Sequence, residues 1–160
     1  MIDLSGSGTE PKRYLSYITS HEAMIAPDYS LYSDLLRALQ IYNTYRNYLI
    51  GSWLQGKGIL TIPNARLDGD LSLDYTLTGI PEYSTIAIGA HGCTKNRVNR
   101  KQFIQEVKRL VDLKQPTNLI VYGSDAYGVF DYPRSQGIPV DVFPCETNLA
   151  FKGVVHGKAK

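Results

Sequence analysis

Five short apolar runs punctuate the chain, at residues 24–27, 59–63, 85–89, 118–123 and 139–143, and each closes on a corner rich in proline, glycine or polar residues. Segments with helical spacing separate most of them. This alternation predicts an α/β fold: a single domain with a mostly parallel sheet of about five strands joined by crossover helices. The corners at the carboxyl ends of parallel strands then share one edge, which is where open α/β sheets hold ligands.

The clearest helical pattern lies between Leu35 and Trp53, where Leu35, Leu39, Tyr42, Tyr45, Leu49 and Trp53 recur three or four residues apart. They predict one apolar stripe packed on the sheet, with Ser30 or Ser33 as N-cap and Gly56 as the stop. A second helix is expected at about residues 100–114, with Phe103, Val107, Leu110 and Val111 facing inward, Asn99 as cap and Pro116 as terminator. The run Ile59-Leu60-Thr61-Ile62-Pro63 suits a strand buried on both faces. Residues 68–77 fit a short helix or irregular crossover, although Leu71, Leu73, Tyr75 and Leu77 also alternate as in a strand. Residues 14–18 read as a short strand or turn.

At 160 residues, 43% apolar and 20% charged, the composition is that of one globular domain with one core. No apolar run reaches the ~20 residues of a membrane-spanning helix. Residues 1–12 lack the pattern of a secretory signal and read as a flexible leader, residues 13–151 as the domain and 152–160 as a basic tail. The expected location is cytoplasmic, in a bacterial host, with no membrane partner. A net charge of +2 is too small to indicate nucleic-acid binding by itself. Cys93 and Cys145 match no zinc spacing, so reduced thiols are expected unless the fold brings them together. Twelve tyrosines are many for this length and suit crevices, half-buried helix faces and binding surfaces.

Candidate chemistry concentrates at the strand ends. Asp28 and Ser30 precede the long helix, whose amino end could bind an anion, with Asp28 as a base or metal ligand; helix capping is the competing explanation. Arg46 shares a helix face with Asn43 and Asn47 and could reach a phosphate or carboxylate. Asn64 lies just past the second strand, as does Arg66. His91-Gly92-Cys93 offers a proton carrier and a thiol in a glycine corner, without a complete triad or metal set. Ser124 and Asp125 form a further corner, and Lys95, Arg97, Arg100 and Lys101 are the one basic cluster, beside a helix start. No GxGxxG, Walker, HExxH or GxSxG motif is present, so the common nucleotide-loop, zinc-protease and hydrolase-elbow explanations have no support, and the sequence leaves cofactor and metal open.

With PDYSLY at 27–32, QIYNTYRNYLIG at 40–51, GILTIP at 58–63, Gly79-Ile80-Pro81, AIGAHGC at 87–93 and IVYG at 120–123, the chain resembles a family of domains of unknown function found in bacteria, phages and mobile elements. The resemblance implies a phage or mobile-element setting and carries no catalytic residue with it. The resulting expectation is binding, and possible processing, of a phosphate-bearing ligand, a nucleotide or nucleic acid, with a role against host defence signalling. Asp28 and Asp125 would be acid/base or metal-binding groups and His91 a proton carrier. Ser30, Arg46, Asn64, Cys93, Arg97, Arg100 and Ser124 would contact the ligand. The rival expectation is a non-enzymatic protein that binds a host protein through Tyr42, Tyr45 and Tyr48.

Overall fold

The computed structural model of the chain describes residues 16–31, 34–67, 69, 72–94 and 96–145. The expected leader, basic tail and Ser33 cap, together with Lys95, lie outside them. Residues 16–18 form a helical turn where a short strand or turn is expected. The elements then follow as β1 (Ala23–Ile25), α1 (Arg37–Gly56), β2 (Leu60–Ile62), β3 (Asn64–Ala65), α2 (Leu73–Thr76), β4 (Thr85–Gly89), α3 (Arg97–Lys114), β5 (Asn118–Tyr122), a 3-10 turn (Ala126–Gly128), α4 (Asp131–Ser135) and β6 (Val140–Phe143).

The α/β class and the parallel pairing are as the pattern predicts. Strand β1 pairs with β2, and β3, β4, β5 and β6 follow one another in a second sheet, every pair parallel. Only Pro63 separates β2 from β3. Proline has no N–H to give to a ladder, and its carbonyl accepts from the Ala87 N–H at 2.9 Å, so the run bends out of one sheet into the other. This corrects the expectation of a strand over residues 59–63 buried on both faces: Leu60 is 67% exposed.

Strand order follows chain order, and right-handed connections between successive neighbours all fall on the same side. The pleat confirms it. Ile86, Ile88, Leu119 and Val121 share one core with Phe103, Val107 and Leu110 of α3 and with Phe130, while Ala87, Ile120, Tyr122 and Phe143, which alternate with them along the strands, are outside it. Phe103 and Phe130 meet edge to face with centroids 5.9 Å apart, pinning α3 to the segment before α4.

Two helix starts differ from expectation. Helix α3 begins three residues early because the Asn96 side chain, not Asn99, caps it, accepting from the Asn99 N–H at 2.8 Å. Its four inward residues are buried as predicted. Helix α1 begins at Arg37 with no side-chain cap, so Ser30 does not cap it, and its buried face is Gln40, Thr44, Asn47, Gly51 and Leu54. The stripe predicted to face the sheet is turned outward instead, with Tyr42 at 49% and Tyr45 at 55% exposure.

Candidate ligand cleft

The carboxyl ends of β1, β3 and β4 bring candidate residues to one rim. After β1, the corner containing Asp28 and Ser30 docks on α1: Asn47 Oδ1 accepts from the Tyr29 N–H at 2.8 Å, and Asn43 Nδ2 donates to the Ser30 carbonyl at 3.0 Å. Arg46 does not extend toward the rim from this face. Its guanidinium lies 3.7 Å from the centroid of the Tyr29 ring and 5.8 Å from that of Tyr42, a cation–π stack, with Nε buried and without a hydrogen-bond partner.

Asp28 is thereby placed against Arg66, one residue beyond β3, with Oδ2 3.1 Å from Nη1. The pair crosses Gly89, the last residue of β4. A Cβ built there would stand 3.7 Å from the Asp28 carboxylate and 3.8 Å from the guanidinium, ordinary van der Waals contact, so the pair lies directly over this position. Asn64 Nδ2 reaches the Ala26 carbonyl at 3.5 Å, and its Oδ1 is buried with no partner.

Arg66 also lines a cleft of about 640 Å³ that takes in Asp34, His91, Cys93, Gln102 and Glu106. His91 is exposed in the corner after β4. The Cys93 Sγ lies 3.7 Å from the Gly89 carbonyl, and neither Cys93 nor Cys145 is in a disulfide. Glu106 is buried in α3, where it accepts from the Gly69 N–H and from Gln102 Nε2, the latter at 2.9 Å. Among the described residues no three His, Cys, Asp or Glu side chains gather as a metal site.

Ser124 and Asp125 stand apart from the cleft lining. Ser124 Oγ accepts from the Ala126 N–H at 3.1 Å, and Asp125 pairs with Arg134 at 2.8 Å. Arg100 stacks on Tyr127 at 3.6 Å and donates to the Thr94 carbonyl at 3.3 Å, while Arg97 is exposed at the first residue of α3. The rim thus joins Asp28 to the His91 and Cys93 corner through Arg66, which sequence reasoning left out of the site. Its signal was its place immediately past a strand end. Glu106 also went unpredicted, although it lies on the inward face of α3 beside Phe103 and Val107.

Fold and rim together define a parallel α/β domain with a polar cleft at the carboxyl edge of its strands. The chain belongs to the family Domain of unknown function (DUF4417), which matches residues 7–134. It is 34% identical over 119 residues to the Gene 1 protein of Mycobacterium phage D29, covering 74% of this chain and 44% of that protein. With the Gene 1 protein of Mycobacterium phage L5 it shares 33% over 115 residues, 72% of this chain and 50% of the relative. The chain therefore spans about half the length of these curated relatives, whose phage origin agrees with the expected setting. No solved structure matches. Among the described residues no helix is long and apolar enough to cross a membrane.

Proposed function

We propose that this domain binds a phosphate-bearing ligand in the carboxyl-edge cleft, with Arg66 as the principal anion contact. The carrying observation is the placement of Arg66: Asp28 orients its guanidinium at the rim through Nη1, and the same side chain lines the cleft beside His91 and the amino-terminal turns of α3. A guanidinium has five N–H donors, so one carboxylate leaves donors for a phosphate, and a helix amino end favours the same charge. His91 can donate to a phosphate oxygen from the opposite lip. Asp28 and Asp125 are each engaged by an arginine, which favours binding over acid/base turnover at these carboxylates.

Calorimetry with inorganic tripolyphosphate tests the reading. Arg66→Gln is expected to weaken binding about tenfold or more, and raised salt to weaken it further. Wild-type affinity in Arg66→Gln would refute it. A second reading, docking of a partner protein, has its own observation in the outward aromatic stripe of α1, where Tyr42 and Tyr45 stack 6.4 Å apart. Tyr48 does not join that surface: it is half-buried and donates to the Thr76 carbonyl.

A further inference from the structure

Helix α1 rests on the fold through small and polar residues, and its other side carries the apolar side chains that a folded domain ordinarily hides. Leu36 at its start, then Leu39, Ile41, Tyr42 and Tyr45, are each between 44% and 74% exposed. Leu39, Tyr42, Tyr45 and Arg46 are neighbours by helical spacing, over roughly 10 Å of the helix. Within this surface the half-buried Arg46 guanidinium lies against Tyr29 at 3.7 Å and near Tyr42 at 5.8 Å, and Tyr42 stacks on Tyr45 in turn. Among the described residues no oxygen accepts a hydrogen bond from this guanidinium, whose Nε is buried without a partner. Helix α1 itself contains no Asp or Glu.

We propose that this surface docks an acidic segment of another protein, in which a carboxylate pairs with Arg46 and the apolar side chains beside it lie on Leu39, Tyr42 and Tyr45. The proposal rests on the partner-docking reading above and adds the partner's chemistry. A planar guanidinium is matched by a carboxylate, which its Nη groups can grip side by side, and apolar neighbours strengthen the pair by excluding water. The ring of Tyr29 already holds the guanidinium plane, so little side-chain freedom is lost on pairing. Tyrosine and arginine are also the anchors enriched at the centres of protein interfaces. A second copy of this chain is a poorer occupant, since two such helix faces related by a two-fold axis would offer Arg46 only rings and another guanidinium. A nucleic-acid backbone is poorer too: phosphates in series need cations in series, and the other cation of α1, Arg37, is turned to Tyr75 at 5.8 Å.

The test selects binders for the full chain from an mRNA-displayed library of random dodecapeptides and measures the enriched peptides by fluorescence anisotropy. The expected peptides carry Asp or Glu beside Leu, Phe or Tyr, and Arg46→Gln and Tyr45→Ala each weaken them about tenfold. Tripolyphosphate binding should be unchanged in Tyr45→Ala, which separates this surface from the cleft. Tyr42→Glu keeps the test open if Arg46→Gln does not fold: it sets a carboxylate four residues before Arg46, in the favourable helical pairing, and should abolish acidic-peptide binding. Enriched peptides that need Tyr45 but carry no carboxylate would overturn the acidic partner and leave the docking reading standing. If nothing is enriched, or the enriched peptides ignore both substitutions, both readings fall. Displacement of the peptides by oligothymidylate at matched concentration would reassign the face to nucleic acid, and a sedimenting dimer that Tyr45→Asp dissociates would reassign it to a second copy; either overturns the proposal.

Discussion

At the scale of single residues, two positions show how far local chemistry decides the fold. Tyr48 is pressed against Gly79, where an added Cβ would stand 2.9 Å from its ring, and burial pushes its hydroxyl up to about 12 from an ordinary 10.0. The neutral phenol is what the fold holds. That contribution is fully present below pH 10 and is lost as pH rises from 10 toward 12. Urea titrations at pH 8 and pH 11 should therefore show a fall in stability that shrinks in Tyr48→Phe; the part that remains includes Tyr132, whose hydroxyl is raised by its hydrogen bond to Asp112. Gly123 is the second position. Its φ is +137°, and a Cβ would lie 2.8 Å from the His91 backbone nitrogen. Gly123→Ala is expected to cost about 1–3 kcal/mol by thermal melting, because backbone on both sides must move. The sequence showed a glycine ending an apolar run, hence a corner. It did not show that this corner is wedged against the one carrying His91, which only the pairing of β4 with β5 creates.

At the scale of elements, α1 separates what apolar spacing reveals from what it conceals. Leu39, Tyr42 and Tyr45 recur as a core stripe does, yet the helix rests on the opposite side, where a Cβ added at Gly51 would already be in ordinary contact, 3.6 Å from the Ala26 Cβ and 3.8 Å from Thr61 Cγ2. A small, polar side is favoured there because its groups find partners. Gln40 accepts from the Tyr75 hydroxyl, Thr44 donates to the Gln40 carbonyl, and Asn47 accepts from Tyr29. Once satisfied, such groups carry little burial penalty, and periodicity of apolar residues alone says nothing of them. By contrast, the inward side of α3 was legible because its buried positions are mostly apolar and no competing stripe exists. The consequence is measurable. Tyr45→Ala should change unfolding free energy by no more than about 0.5 kcal/mol, whereas Asn47→Ala should cost about 1–3 kcal/mol by leaving the Tyr29 N–H unpaired. Asn47→Ala should also weaken tripolyphosphate binding, because the Tyr29 corner positions Asp28 and thereby Arg66.

At the scale of the whole molecule, the parallel strands and their common edge were readable, since each apolar run ends in a polar corner. The further strand that begins at Asn64 was not. GILTIP reads as a strand that ends at Pro63 with Asn64 just beyond it, and only the hydrogen bonds show that β2 serves β1 while Asn64-Ala65 resumes as β3 and serves β4. A cavity of about 400 Å³ lies where the two parts diverge, between α1, β2 and the loop before β4. The four-stranded part holds the large apolar core, including Ile86, Ile88, Leu119 and Val121, each at most 2% exposed. The part built from β1, β2 and α1 is closed by small and polar contacts and contributes no residue of β1 or β2 to that core. Regions with few buried apolar contacts open at lower free energy than the global transition. Native-state hydrogen exchange is thus expected to release the Ala26 amide, bonded to the Ile62 carbonyl at 2.8 Å, at lower denaturant than the Leu119 amide, bonded to Pro139 at 3.0 Å. Two isotherms should merge only near the global midpoint. A common opening energy and denaturant slope for both amides would mean that the parts on either side of Pro63 unfold as one. Because Asp28 belongs to the weaker part and Arg66 to the stronger, partial opening would separate the pair that shapes the cleft, so bound tripolyphosphate should slow exchange at Ala26 more than at Leu119.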